Sequence, residues 1–186
     1  MVRTAALLIQ LFLIAVVTCG LLLVGGRSPA ASPPVDELVR VAAVHSGQSL
    51  EVSSARSPLA ESVRLLGIDA PDSRQEPWGP EATHQLEQWL KGQTIRLEFD
   101  GTLQDAYGRK AAYVWLGHEL INEKLVTEGW ALAQGSMAFS SGTRSTRYEQ
   151  RLIAAQEKAR LLQRGIWSAT APLHQTPGEF RKQEAL

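Results

Sequence analysis

The chain has 186 residues, 44% of them hydrophobic, with 19 basic and 19 acidic side chains and one cysteine. That length fits one domain with extensions, and the composition supplies one apolar core. Two of the basic residues, Arg3 and Arg27, belong to the N-terminal segment, which leaves 17 against 19 acidic residues beyond Ala31. A general attraction to nucleic acid by counterion release is therefore excluded, and any phosphate contact has to be local. The lone Cys19 excludes an intrachain disulfide and a cysteine-based metal site.

Ala5 to Gly26 is almost wholly apolar, interrupted mainly by Gln10. A membrane span needs roughly 20 such residues and a signal-peptide core only about 7–15. Residues 1–27 thus read as a helical anchor or as a signal peptide cleaved near Ala30-Ala31. Either way the remainder is extracytoplasmic: membrane-anchored by residues 5–26, or secreted or periplasmic after cleavage. Residues 28–37 read as a linker, 38–170 as the folded domain and 171–186 as a polar tail that frays.

Within the domain, Leu38–Val44 and Ser49–Val52 alternate about Ser46-Gly47, a hairpin signal. Ser62–Ile68 is a third strand. Pro80 opens a helix to Lys91 at its first position, with Ala82, Leu86, Trp89 and Leu90 on one face and Gly92 ending it. Thr94–Phe99 and Ala111–Leu116 are two more strands. A short helix covers Ile121–Glu128. Thr146-Arg-Tyr-Glu149 reads as a capping box for a helix to Gln163, with Tyr148, Leu152, Ala155, Ala159 and Leu162 at helical spacing and Gly165 after it.

Two segments carry the chemistry. Val63-Arg-Leu-Leu-Gly-Ile-Asp-Ala-Pro-Asp72 is an apolar strand ending in two carboxylates about a proline, and Asp105-Ala-Tyr-Gly-Arg109 sets an arginine on a tight turn. Carboxylates suit a hard cation, and an arginine fork grips phosphate oxygens at two points. Arg64 and Asp69 are five residues apart, so a regular strand sends them to opposite faces. Both reach one site only if the strand bends, and Gly67 is the natural place.

Together with Gly79-Pro-Glu-Ala82 and Gly165-Ile-Trp167, these segments resemble the staphylococcal nuclease (thermonuclease) family from about Val39 to Trp167. The resemblance implies a five-stranded OB-fold β-barrel with three helices, here preceded by the N-terminal apolar helix. It implies catalytic Arg64 and Arg109, Asp72 at the family's general-base glutamate, and a Ca2+ or other divalent cation held by Asp69 and the Ala70 carbonyl. Where the family's first hairpin carries a second aspartate ligand, this chain has Gln48, a neutral and weaker donor; Gln48→Asp is expected to tighten metal binding. No tyrosine falls among Gly135–Phe139, where the family's phosphate-side tyrosines lie, and Phe139 is expected to anchor a loop. His45 beside the hairpin reads as structural. Two functions follow: an exported calcium-dependent nuclease acting on DNA or RNA with a weakened metal site, or a catalytically impaired OB-fold module that binds single-stranded nucleic acid or a protein partner.

Overall fold

A computed structural model of the protein describes residues 36–54, 59–100, 104–134 and 147–184. The N-terminal apolar segment, Thr146 and Phe139 lie outside the described residues. Among the described residues no helix is long and apolar enough to cross a membrane.

Five strands form the barrel: β1 (Glu37–Ser46), β2 (Ser49–Ser53), β3 (Glu61–Leu65), β5 (Thr94–Glu98) and β6 (Lys110–Leu116), in the order β3-β2-β1-β5-β6. Neighbours in that order run antiparallel, and a parallel β3–β6 pairing closes the circle. Closure leaves neither of these strands with an open edge. A short β7 (Glu119–Leu120) extends β6, and β4 (Ile68–Asp69) pairs separately with β8 (Leu132–Ala133). The strands alternate because one face is packed: Val39, Val41, Leu50, Val52, Val63, Leu65, Ile95 and Leu97 all fill the core.

Four helices follow among the described residues: α1 (Trp78–Leu90), α2 (Ile121–Thr127), α3 (Glu149–Leu161) and α4 (Pro177–Gln183), with a 3-10 turn at Gly165–Trp167. α1 begins two residues before the expected start, so Pro80 is its third residue, still in the first turn where the amide has no intrahelical acceptor. α3 starts at Glu149 after Tyr148, without a side-chain cap, and Leu162 is exposed just beyond its end.

The tail departs from expectation. Rather than fraying, it forms α4 with a complete capping box: the Thr176 hydroxyl accepts from the Glu179 amide, and Glu179 receives the Thr176 amide. The same signature that the sequence offers at Thr146–Glu149 recurs at Thr176–Glu179, followed by Pro177 at the first helical position.

Candidate active site

The strand that carries Arg64 ends at Leu65, and Leu66-Gly67 turns the chain into β4, which carries Asp69. Gly67 has φ +72°, a left-handed conformation that a side chain disfavours. This is the bend the five-residue spacing demands. Asn122 secures it from below: its amide donates to Leu66 O at 2.8 Å while its Oδ1 accepts from Val114 N at 2.9 Å. Asn122 is fully buried, so both bonds are made away from water. Sequence reading passed over this residue, although a lone asparagine among Ile121, Leu125 and Val126 is the available signal.

Parallel pairing of β3 with β6 brings the two arginines together. Val63 pairs with Lys110 and Arg64 with Ala111, so Arg109, one residue ahead of β6, arrives beside β3. Arg109 is held by its own turn. Asp105, with its side chain wholly buried, accepts from Tyr107 N, Arg109 N and Arg109 Nε at 2.9, 3.0 and 2.7 Å. Burial pushes the Asp105 carboxyl up, but these bonds outweigh it and hold the group below the ordinary aspartate range. Arg64 donates from Nη2 to Ile68 O at 3.5 Å. Burial lowers its pKa, Asp69 opposes that, and the neighbouring cations Arg109 and Arg181 lower it further.

The carboxylate turn rests on α1. Gln75 N donates to Asp72 O at 2.8 Å, and Gly79 N to Gln75 O at 2.8 Å. A Cβ on Gly79 would lie 1.7 Å from Asp72 O, so only glycine lets the helix approach the turn this closely. Gln48, at the β1–β2 turn, uses its Oε1 to accept Ala70 N at 3.0 Å. Asp72 Oδ1 accepts from both the amide and the Nε of Arg74, at 3.1 and 3.0 Å. The Arg74 side-chain bond is the main reason the Asp72 carboxyl lies below its usual range, against a smaller upward push from burial.

A cavity of about 580 Å³ gathers these groups: Arg64, Arg109, Asp72, Gln48 and Arg181 all line it, with exposed Tyr107 at its side. The Arg109 guanidinium lies 5.3 Å from the Tyr107 ring centre. Four expected residues, Arg64, Arg109, Asp72 and Gln48, thus meet in one place. Asp69 is not in the lining; its Oδ1 accepts Arg181 Nη2 at 2.7 Å. Arg181 and Tyr107 are additions to the expected set. His45 stands apart, 3.0 Å from Glu51.

As arranged, these residues do not fit a resident divalent cation. Ala70 is fully buried, Gln48 Oε1 is engaged by the Ala70 amide, and each of Asp69, Asp72 and Asp105 is paired with an arginine. Among the described residues no three acidic, histidine or cysteine side chains form a metal-binding group. A hard cation such as calcium takes six to eight oxygens.

Residues 62–169 match the family model described as staphylococcal nuclease homologue. A thermonuclease of Staphylococcus hyicus is 33% identical over 147 residues, covering 76% of this chain and 82% of its own. A thermonuclease of Staphylococcus intermedius is 37% identical over 112 residues, 58% of this chain and 63% of its own. Endonuclease YncB of Bacillus subtilis (strain 168) is 28% identical over 114 residues, 58% of this chain and 52% of its own. With the Asp-Ala-Pro-Asp turn, the Arg109 turn and strands β5 and β6 all inside residues 62–169, the chain belongs to the staphylococcal nuclease family.

Proposed function

We propose that this protein is a nuclease that hydrolyses phosphodiester bonds of DNA or RNA in the cavity between β3, the Asp69–Asp72 turn and the Arg109 turn. The observation that carries the reading is the convergence of Arg64, Arg109 and Asp72 on one cavity through the β3–β6 closure. Arginine forks suit the charge that builds on phosphoryl oxygens as water attacks phosphorus. Asp72, the carboxylate that lines this cavity, takes the proton of that water; its bond to Arg74 keeps it ionised while weakening it as a base. Asp105 acts through Arg109, fixing the fork before substrate arrives.

Export completes the reading. The apolar run from Ala5 to Gly26 supports delivery across a membrane, either retained as an anchor or removed near Ala30-Ala31. The binding-module alternative is not favoured: the named relatives include thermonucleases and an endonuclease, and the module needs no carboxylate beside two arginines. The test is to incubate the full-length protein with end-labelled single-stranded DNA and RNA, with and without calcium, and to resolve the products. Cleavage that disappears in Arg109→Ala supports the nuclease; intact substrate under every condition refutes it.

A further inference from the structure

We propose that Arg181 is the built-in cation of this site: its guanidinium fills the charge position at Asp69 that a divalent cation would otherwise take and, with Arg64 and Arg109, binds the phosphate of the substrate. The inference rests on the nuclease reading above and adds a residue from outside the segment matched by the family model, which ends at residue 169.

Three observations lead to it. The first is the contact itself. Arg181 Nη2 donates to Asp69 Oδ1 at 2.7 Å, and the Asp69 side chain is only 15% exposed. A Cβ on Gly178, one turn earlier in α4, would lie 3.9 Å from Asp69 Oδ2, so the helix runs close beside the other oxygen. A cation needing many oxygens cannot reach Asp69 while α4 is docked.

The second is direction. Arg181 lines the same cavity as Arg64 and Arg109, whereas the Asp69 it neutralises does not. A guanidinium has five donors. One is spent on Asp69, and the side chain remains 38% exposed, leaving donors for an anion in the cavity. Three arginines lining one space repel one another, and a phosphate relieves that repulsion.

The third is that α4 is fastened, so Arg181 does not meet Asp69 by the chance swing of a long side chain. Gln75 Nε2 donates to Gln175 O at 2.6 Å and Trp78 Nε1 to Ala171 O at 3.1 Å. Arg74 pairs with Glu184 at 2.9 Å and lies 5.8 Å from the Phe180 ring centre. Pro177 is buried. Arg74 and Gln75 belong to the segment that follows Asp72, so the tail is fixed to the active-site turn itself.

The experiment measures binding of a short fluorescein-labelled single-stranded DNA to the full-length protein by anisotropy in EDTA, and calcium binding by calorimetry. The variants are Arg181→Ala, Arg181→Lys, Arg64→Ala, and Lys91→Ala as a surface charge control. Wild type binds the oligonucleotide in EDTA. Arg181→Ala weakens that binding roughly tenfold, the scale of one charge-assisted bond, and binds calcium more tightly. Arg181→Lys keeps part of the affinity as a point charge without the fork, and Lys91→Ala changes neither quantity. Far-UV circular dichroism confirms folding, and the lysine variant, which retains a cation for Asp69, decides the matter if the alanine variant is unstable. Unchanged oligonucleotide binding in folded Arg181 variants overturns the phosphate role, and unchanged calcium affinity overturns the claim on the cation's position. If Arg64→Ala loses binding while the Arg181 variants do not, only this inference falls; if Arg64→Ala also binds like wild type, the cavity reading falls with it.

Discussion

Gln48 Oε1 accepts the Ala70 amide at 3.0 Å, a buried bond across 22 residues that ties the β1–β2 turn to the carboxylate turn. By charge alone, an aspartate at position 48 adds a ligand for a cation. The geometry gives the substitution a second consequence: the shorter side chain does not span to Ala70, and the buried N–H is left without an acceptor. Gln48→Asp is therefore expected to cost about 1–3 kcal/mol of stability, read as a lower midpoint in urea unfolding. Gln48→Glu keeps the reach and is expected to cost less.

Asn122 is expected to be more sensitive. Its side chain satisfies Leu66 O and Val114 N inside the core and holds the bend that separates Arg64 from Asp69. Asn122→Leu has a similar volume but removes both bonds, and is expected to lose about 2–5 kcal/mol as two buried polar groups lose a partner. Activity falls with it, because the bend loosens; denaturant unfolding with a parallel cleavage assay measures both.

Such dependence on distant partners explains what the sequence could and could not reveal. Strands β1, β2, β3, β5 and β6 were legible because one face of each is packed and their alternation is local. The two segments that carry Arg64, Asp72 and Arg109 stood out by their carboxylates about a proline and their arginine on a tight turn, but the roles of the three residues came from the resemblance to the nuclease family. Gln48 as a brace, Asn122 as a clasp and Arg181 as a partner of Asp69 were not, since each acts on residues 22, 56 and 112 positions away. The Thr176–Glu179 capping box was local and readable; the polar composition around it hid a helix whose stability comes from docking on Arg74, Gln75 and Trp78.

Glu98 contributes to the acid limit of stability. Its buried carboxylate accepts Trp115 Nε1 at 2.7 Å, Tyr148 Oη at 2.9 Å and Arg147 Nη1 at 2.5 Å, joining β5 and β6 to the start of α3. Burial alone would raise its pKa, but these three donors bring it below the ordinary glutamate value. A depressed folded-state pKa means stability that is present above the unfolded-state value and lost as pH falls through the folded one. Thermal unfolding from pH 7 downward is expected to show a drop below the usual carboxylate range, and Glu98→Gln to flatten that part of the curve while lowering the melting temperature at pH 7.

Arg74 tunes the proposed base. Removing it takes away the largest influence holding the Asp72 carboxyl down, so Arg74→Ala is expected to move the acid limb of the activity profile to higher pH. A pH–rate series on the two proteins checks this, and an unmoved limb assigns the proton acceptor elsewhere. The same variant also frees Phe180 of α4 and Glu184 just after it, so oligonucleotide affinity is expected to fall alongside.

The central claim is that Arg64 and Arg109 act on one phosphate, and a double-mutant cycle tests it directly. Single-turnover cleavage of single-stranded DNA is measured for wild type, Arg64→Ala, Arg109→Ala and the double variant, each confirmed folded by circular dichroism. Each single change is expected to slow cleavage by about 10²–10³, the scale for removing one transition-state donor. The double variant is expected to be much less impaired than the product of the two losses, because groups sharing one site are coupled. Fully multiplicative losses, or a folded single variant that cleaves within a few-fold of wild type, would contradict the account.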